Sequence, residues 1–139
     1  MIDDAIARGG RVSAGGPLDR PGYFIQPTIV RDVGDDARIV REEQFGPVLP
    51  VLRYSDVDDA VARANDTDQG LGGTVWGKDR DRALAVASRL ETGMVWINSH
   101  MNINPFVPMG GAKQSGMGLE LGQAGLEEFT QRRLVYVPA

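Results

Sequence analysis

The sequence predicts an α/β fold in which three parallel strands alternate with two helices. Apolar runs at residues 48–54, 74–76 and 94–98 have the length and composition of buried strands. Between them, apolar residues recur every three or four positions, which is the spacing of one face of a helix. Crossovers that contain a helix are long enough to bring successive strands parallel. The predicted core is therefore β-α-β-α-β, with both faces of its sheet covered.

Each of the two crossover helices has a recognisable start signal. Ser55, followed three residues later by Asp58, is typical of an N-cap with an acidic first turn. Asp79 or Asp81 is placed to cap the second helix, and Gly93 is expected as its C-cap.

Shorter elements are predicted on either side of this core. An amphipathic helix opens the chain and ends at Gly9 and Gly10. Two strands follow it, the second confined to an edge or bulge by Pro27, and a short helix and a terminal strand close the chain. In order, these elements cover residues 11–14, 23–30, 126–130 and 134–137.

The amino-acid composition excludes several classes of function. The 139 residues include 42% hydrophobic and 24% charged side chains, as expected of one globular domain. Fifteen basic and nineteen acidic residues give a net charge of −4 without a basic cluster, which excludes a nucleic-acid footprint. No apolar run approaches the roughly 20 residues of a membrane span, and no signal peptide is evident. A cytoplasmic location is expected.

Cysteine is absent, and His100 is the only histidine. Disulfides and a cysteine nucleophile within these residues are thereby excluded, and a metal site is not expected. His100 follows Ser99, but no third member of a hydrolase triad is identifiable, so a structural or rim histidine is favoured.

The segment at residues 41–47 has the composition of a site. It places two adjacent carboxylates and Phe45 in a Gly-Pro turn immediately before an apolar run. The alternative interpretation is a solvated acidic turn whose Phe45 packs into the core. The residues alone leave both interpretations open.

Residues 42–48, with the sequence EEQFGPV, resemble the Glu-Glu-x-Phe-Gly-Pro-Val segment of NAD(P)-dependent aldehyde dehydrogenases. The resemblance implies that Glu43 hydrogen-bonds the ribose hydroxyls beside the nicotinamide of NAD or NADP. It implies that Phe45 packs beside the nicotinamide itself. A second segment, PMGGAKQSGMGLE at residues 108–120, resembles the family's Pro-Phe-Gly-Gly-x-Lys-x-Ser-Gly-x-Gly-Arg-Glu, and the likeness extends from Gly22 onward.

The second segment implies contacts to an aldehyde substrate. Ile103 and Met109 are expected to line its tunnel, although plain core packing is the alternative for both. Each stands where the family often has an aromatic residue, so we expect a more adaptable pocket, with Phe106 compensating in part. Glu120 corresponds to a glutamate that relays protons in the family, or it is a buried structural carboxylate. Leu119 replaces the family's arginine.

The resemblance identifies the chain as the C-terminal part of an aldehyde dehydrogenase, in a partial three-layer α/β catalytic domain. Residues 1–131 are assigned to the catalytic domain and residues 132–139 to a terminal oligomerisation strand. The cysteine nucleophile, the principal base, the oxyanion asparagine and the dinucleotide domain lie elsewhere in the family. Alone, the chain is expected to bind NAD(P) weakly or not at all and to be inactive.

Two alternatives to an enzyme fragment stay open. In the first, the chain is an assembly or partner-binding module that self-associates through Leu134 to Val137. In the second, the long loop at residues 99–115 binds a small molecule independently of any dehydrogenase.

Overall fold

The computed structural model describes all 139 residues, which form two compact units, residues 1–63 and 64–139. The helices are α1 (Ile2–Ala7), α2 (Arg38–Arg41), α3 (Val57–Asn65), α4 (Arg80–Ala87) and α5 (Gly122–Glu127). The strands are β1 (Arg11–Ala14), β2 (Thr28–Arg31), β3 (Val48–Val51), β4 (Gln69–Gly70), β5 (Gly72–Val75), β6 (Met94–Ile97) and β7 (Ala112–Lys113). None of these helices has the length and apolar composition required to cross a membrane.

The first unit is built on a three-stranded sheet in the order β1-β2-β3. β1 pairs antiparallel with β2 through a register shift, and β2 pairs parallel with β3. Because side chains alternate between the faces of a strand, Val30 and Val48 are buried while their neighbours Ile29 and Leu49 are exposed. The buried face packs in a core that also contains Ile2, Ala5, Ala37 and Ile39.

The second unit contains a parallel ladder of β5 and β6, joined through α4. α4 contacts both strands and buries Ala83 and Ala87, whose small side chains permit close packing. A second, two-residue ladder pairs β4 with β7 antiparallel. This ladder connects the start of the unit to its glycine-rich segment.

The α/β class and the chain order β3, α3, β5, α4, β6 are confirmed. The hydrogen-bonded ladders differ from the single three-stranded core that the sequence predicted. β3 pairs with β2, whereas β5 and β6 pair only with each other. Periodicity and crossover length determine the type and direction of a strand, but the choice of partner depends on contacts distant in sequence.

The helix ends correct two expectations about caps. Asp56, and not Ser55, accepts the first-turn hydrogen bond, from the Asp58 N–H at 2.6 Å. Asp79 is confirmed as the N-cap of α4 and accepts from the Arg82 N–H at 3.0 Å. Gly93 is not a C-cap, because α4 already ends at Ala87.

Three further segments differ from prediction. The strand expected at residues 23–30 begins only at Thr28, directly after Pro27, which has no N–H to donate to a ladder. α2 was missed, because four residues are too few to show helical periodicity. Residues 131–139 have no regular structure, and the strand predicted at Leu134 to Val137 pairs with no other strand of the chain.

Candidate functional site

The turn at residues 42–47 lies between α2 and β3, and its two carboxylates have different environments. Glu42 receives two hydrogen bonds from the Arg38 guanidinium, Nε to Oε1 at 2.6 Å and Nη2 to Oε2 at 2.9 Å. Hydrogen bonding to Arg38 lowers the pKa of Glu42, and the same contact raises the pKa of Arg38. The Glu42 carboxylate is therefore engaged by Arg38 of α2, the helix that precedes the turn.

Glu43 is exposed and makes no hydrogen bond or ion pair. Two residues later, Phe45 is 95% exposed, so the alternative in which its ring packs into the core is wrong. An ionised carboxylate accepts hydrogen bonds from a pair of hydroxyls, and an exposed ring stacks on a flat aromatic cation. Both side chains are therefore accessible to a ligand that carries hydroxyls and a flat ring.

Gln44, between these two residues, was missed by sequence reasoning. Its Nε2 donates to the Val48 carbonyl at 2.6 Å, and its Oε1 accepts from the Gly46 N–H at 2.8 Å. The side-chain amide therefore spans the backbone at Phe45 and ties the turn to Val48, the first residue of β3. A side-chain amide two residues before Gly46-Pro47 is the signal that could have identified it.

Met109 and Glu120 are brought together by the main chain. Each N–H donates to the other residue's carbonyl at 2.7 Å, which forms an isolated antiparallel bridge. Both residues line an open cavity of about 380 Å³. The Glu120 side chain is exposed, so the buried-carboxylate alternative is wrong. The other lining residues are Leu71, Gly110, Gly111, Ser115, Gly116, Met117, Gly118, Leu119, Glu128 and Phe129.

Ile103 and Phe106 lie outside that set of lining residues. Ile103 is 45% exposed and Phe106 is 87% exposed, so core packing does not account for Ile103. Their loop is fixed locally, since the Phe106 N–H donates to Asn104 Oδ1 at 2.9 Å and the Gly122 N–H donates to the Pro105 carbonyl at 2.9 Å. The two residues therefore present apolar side chains at the surface of the loop.

The glycine-rich segment is shaped by Lys113 and Ser115. Lys113 Nζ donates to the Thr67 carbonyl at 3.1 Å and forms an ion pair with Glu91 at 3.1 Å. Ser115 Oγ accepts from the Gly70 N–H at 2.8 Å. The Lys113 side chain is therefore engaged by residues of its own unit.

His100 has the contacts of a structural residue. Its Nδ1 lies 3.0 Å from Thr74 Oγ1, and its ring meets the Trp96 ring edge to face with centroids 6.0 Å apart. No group of three or more histidine, aspartate or glutamate side chains is arranged to hold a metal ion. His100 thus anchors the start of the loop that carries Ile103 and Phe106.

Comparison with known proteins decides the family. The sequence profile of the aldehyde dehydrogenase family matches residues 1–135. The chain belongs to this family. The aldehyde dehydrogenase chain is 50% identical over 136 residues to succinate-semialdehyde dehydrogenase [NADP(+)] of Deinococcus radiodurans, and 48% identical over 133 residues to geranial dehydrogenase of Castellaniella defragrans.

The fold of the aldehyde dehydrogenase chain agrees with this assignment. It superposes on the Mycobacterium tuberculosis aldehyde dehydrogenase complexed with NAD+ with a TM-score of 0.91 at 41% identity, covering 99% of this chain and 29% of that one. The matches to the Deinococcus and Castellaniella enzymes cover 97% and 95% of this chain, and 28% and 26% of those enzymes. The chain therefore spans little more than a quarter of the length of these relatives.

Proposed function

We propose that this chain supplies the nicotinamide-side and aldehyde-side walls of an NAD(P)-dependent aldehyde dehydrogenase. The proposal rests on the different environments of two adjacent carboxylates. Glu42 is neutralised by Arg38, whereas Glu43 is free and lies two residues from the exposed ring of Phe45. A carboxylate without a protein partner next to an exposed aromatic ring suits a ligand that carries hydroxyls and a flat ring.

In the proposed reaction, a cysteine thiolate attacks the aldehyde, hydride passes to the nicotinamide, and water releases the carboxylic acid from the thioester. The chain has no cysteine, so that nucleophile must come from another segment, and the chain alone is expected to be inactive. Within this scheme, Met109, Ile103 and Phe106 are proposed to contact the aldehyde, and Glu120 to relay a proton released in the hydrolysis.

Grafting tests this proposal. The matched 136 residues of the Deinococcus succinate-semialdehyde dehydrogenase would be replaced by the corresponding part of this chain. We expect the graft to reduce NADP+ with at least one aldehyde from a panel of aliphatic and aromatic compounds, while the chain alone reduces none. The unaltered host enzyme is the control. A folded graft that binds NADP+ but oxidises no aldehyde would contradict the proposal, as would oxidation by the chain alone.

An assembly role has a specific observation in its favour. Leu134, Val135, Tyr136 and Val137 are consecutive, apolar and between 69% and 92% exposed, with no strand partner. Such a segment satisfies its backbone groups and covers its side chains by adding to the sheet edge of a second copy. Under this proposal residues 132–139 form the oligomerisation strand, residues 1–131 form the catalytic portion, and the cytoplasmic location stays a prediction from sequence.

A proline in this segment is expected to abolish self-association. Val135→Pro removes a backbone donor and bends the strand, whereas Val135→Thr keeps a β-branched residue of similar size. Sedimentation velocity over a range of protein concentrations should show the parent chain and Val135→Thr associating, and Val135→Pro remaining monomeric. A parent chain that is monomeric at every concentration would reject the assembly role.

A further inference from the structure

The side chain of Gln44 supports the turn that carries Glu43 and Phe45, together with one main-chain hydrogen bond inside the turn, from the Val48 N–H to the Gly46 carbonyl at 2.9 Å. Main-chain hydrogen bonds fasten the turn at its two ends. At the start, the Glu42 N–H donates to the Arg38 carbonyl at 2.8 Å, within helical geometry. At the end, the Thr28 N–H donates to the Pro47 carbonyl at 2.8 Å and joins the turn to β2.

Between these ends, Gln44 supplies two hydrogen bonds with one side chain. Its amide oxygen accepts from Gly46 and its amide nitrogen donates to Val48, so both polar groups of the amide are used. The 2.8 Å bond has the usual length of an N–H···O hydrogen bond, and the 2.6 Å bond is slightly shorter. The backbone around Phe45 is thereby restricted although its ring is exposed.

We propose that Gln44 is a positioning residue, which holds Phe45 and Glu43 in the arrangement that meets a nicotinamide nucleotide. This inference rests on the proposed function. Glu43 and Phe45 flank Gln44 in the chain, so fixing its side chain limits the backbone motion of both neighbours. When the turn is already ordered before the ligand binds, binding does not have to supply the free energy of ordering it. The affinity is higher by that amount.

The test uses the 139-residue chain and two measurements. Gln44→Met keeps the length of the side chain and removes both hydrogen bonds, and Gln131→Met, at an exposed position, is the matched control. We expect amide hydrogen exchange at Gly46, followed by NMR, to accelerate about two- to tenfold, the range for loss of an ordinary hydrogen bond. Exchange at Val30, in the core of the sheet, should not change.

The second measurement is the affinity for β-nicotinamide mononucleotide, which contains only the ribose and nicotinamide that Glu43 and Phe45 would contact. Chemical-shift titration should give a dissociation constant about three- to tenfold weaker for Gln44→Met, and unchanged for Gln131→Met.

The outcomes separate this inference from the function on which it rests. If the parent chain binds the mononucleotide and Gln44→Met binds it equally, Gln44 has no positioning role. Unchanged exchange at Gly46 in Gln44→Met would overturn the role as well, because the hydrogen bonds would then not restrain the turn. If neither the parent chain nor its graft in the Deinococcus enzyme binds the mononucleotide at millimolar concentrations, while Gly46 exchange responds to Gln44→Met, the proposed nicotinamide contact is overturned and with it the cofactor role of Gln44.

Discussion

Glu43→Gln is expected to lower kcat/KM for the nicotinamide cofactor by about ten- to a hundredfold in the grafted dehydrogenase. The carboxylate would accept charge-assisted hydrogen bonds from the ribose hydroxyls, each worth about 1.5–3 kcal/mol, and an amide replaces them with weaker neutral ones. The loss should appear in steady-state kinetics at saturating aldehyde. Folding should be unaffected, because Glu43 is exposed and has no protein partner.

Glu42→Gln is the matched control, since it makes the same chemical change one residue away. We expect its kcat/KM for the cofactor to stay within about twofold of the unaltered graft, because the Glu42 carboxylate already receives two hydrogen bonds from Arg38. Equal losses for the two variants would contradict the assignment of cofactor binding to Glu43.

The stability difference between the parent chain and Glu42→Gln is expected to depend on pH. Hydrogen bonding to Arg38 lowers the pKa of Glu42 from its ordinary value of 4.5. The pair therefore stabilises the fold fully above that ordinary value, and the stabilisation is lost as pH falls through the lowered pKa of the folded state. Thermal melts of the parent chain and Glu42→Gln should differ slightly at pH 7, since the pair is exposed and screened by solvent, and converge in acid.

Gly93→Ala is expected to destabilise the second unit by at least about 3 kcal/mol, at the upper end of the range for overpacking. A Cβ at Gly93 would lie 1.8 Å from the Gly110 carbonyl oxygen and 2.7 Å from its carbonyl carbon. Both atoms belong to the backbone, so no side-chain rotation relieves the overlap. The Gly93 N–H also donates to the Gly70 carbonyl at 2.9 Å, which ties the same residue to β4.

Gly77→Ala is the control for this steric effect. Its nearest contact would be 3.6 Å from the Ala83 Cβ, an ordinary van der Waals distance, so a change within about 1 kcal/mol is expected. Urea denaturation followed by tryptophan fluorescence measures the free energy of unfolding of both variants. Trp96 reports on this region because it lies in β6, the strand that begins directly after Gly93. Similar unfolding midpoints for the two variants would contradict this prediction. They would show that the backbone segments at Gly93 and Gly110 can separate with little loss of stability.

The sequence by itself determined the local features of this protein. Segments whose apolar residues have strand spacing alternate with segments that have helix spacing, and this pattern predicted β3, α3, β5, α4 and β6 in the correct order. Such spacings are properties of neighbouring residues. The two family-like segments led to the aldehyde dehydrogenase family, which the match to residues 1–135 confirms. The roles of Glu43, Phe45, Ile103, Phe106, Met109 and Glu120 remain predictions.

Only the tertiary structure decided which groups meet. It paired β3 with β2, and it formed the four-residue helix α2, which sets Arg38 one turn before Glu42 and leaves Glu43 without a partner. It also brought Gly110 against Gly93, which explains a glycine that the sequence assigned to a helix cap. Such pairings are formed between residues distant in the chain or by one rotamer among several, so no pattern of neighbouring residues encodes them.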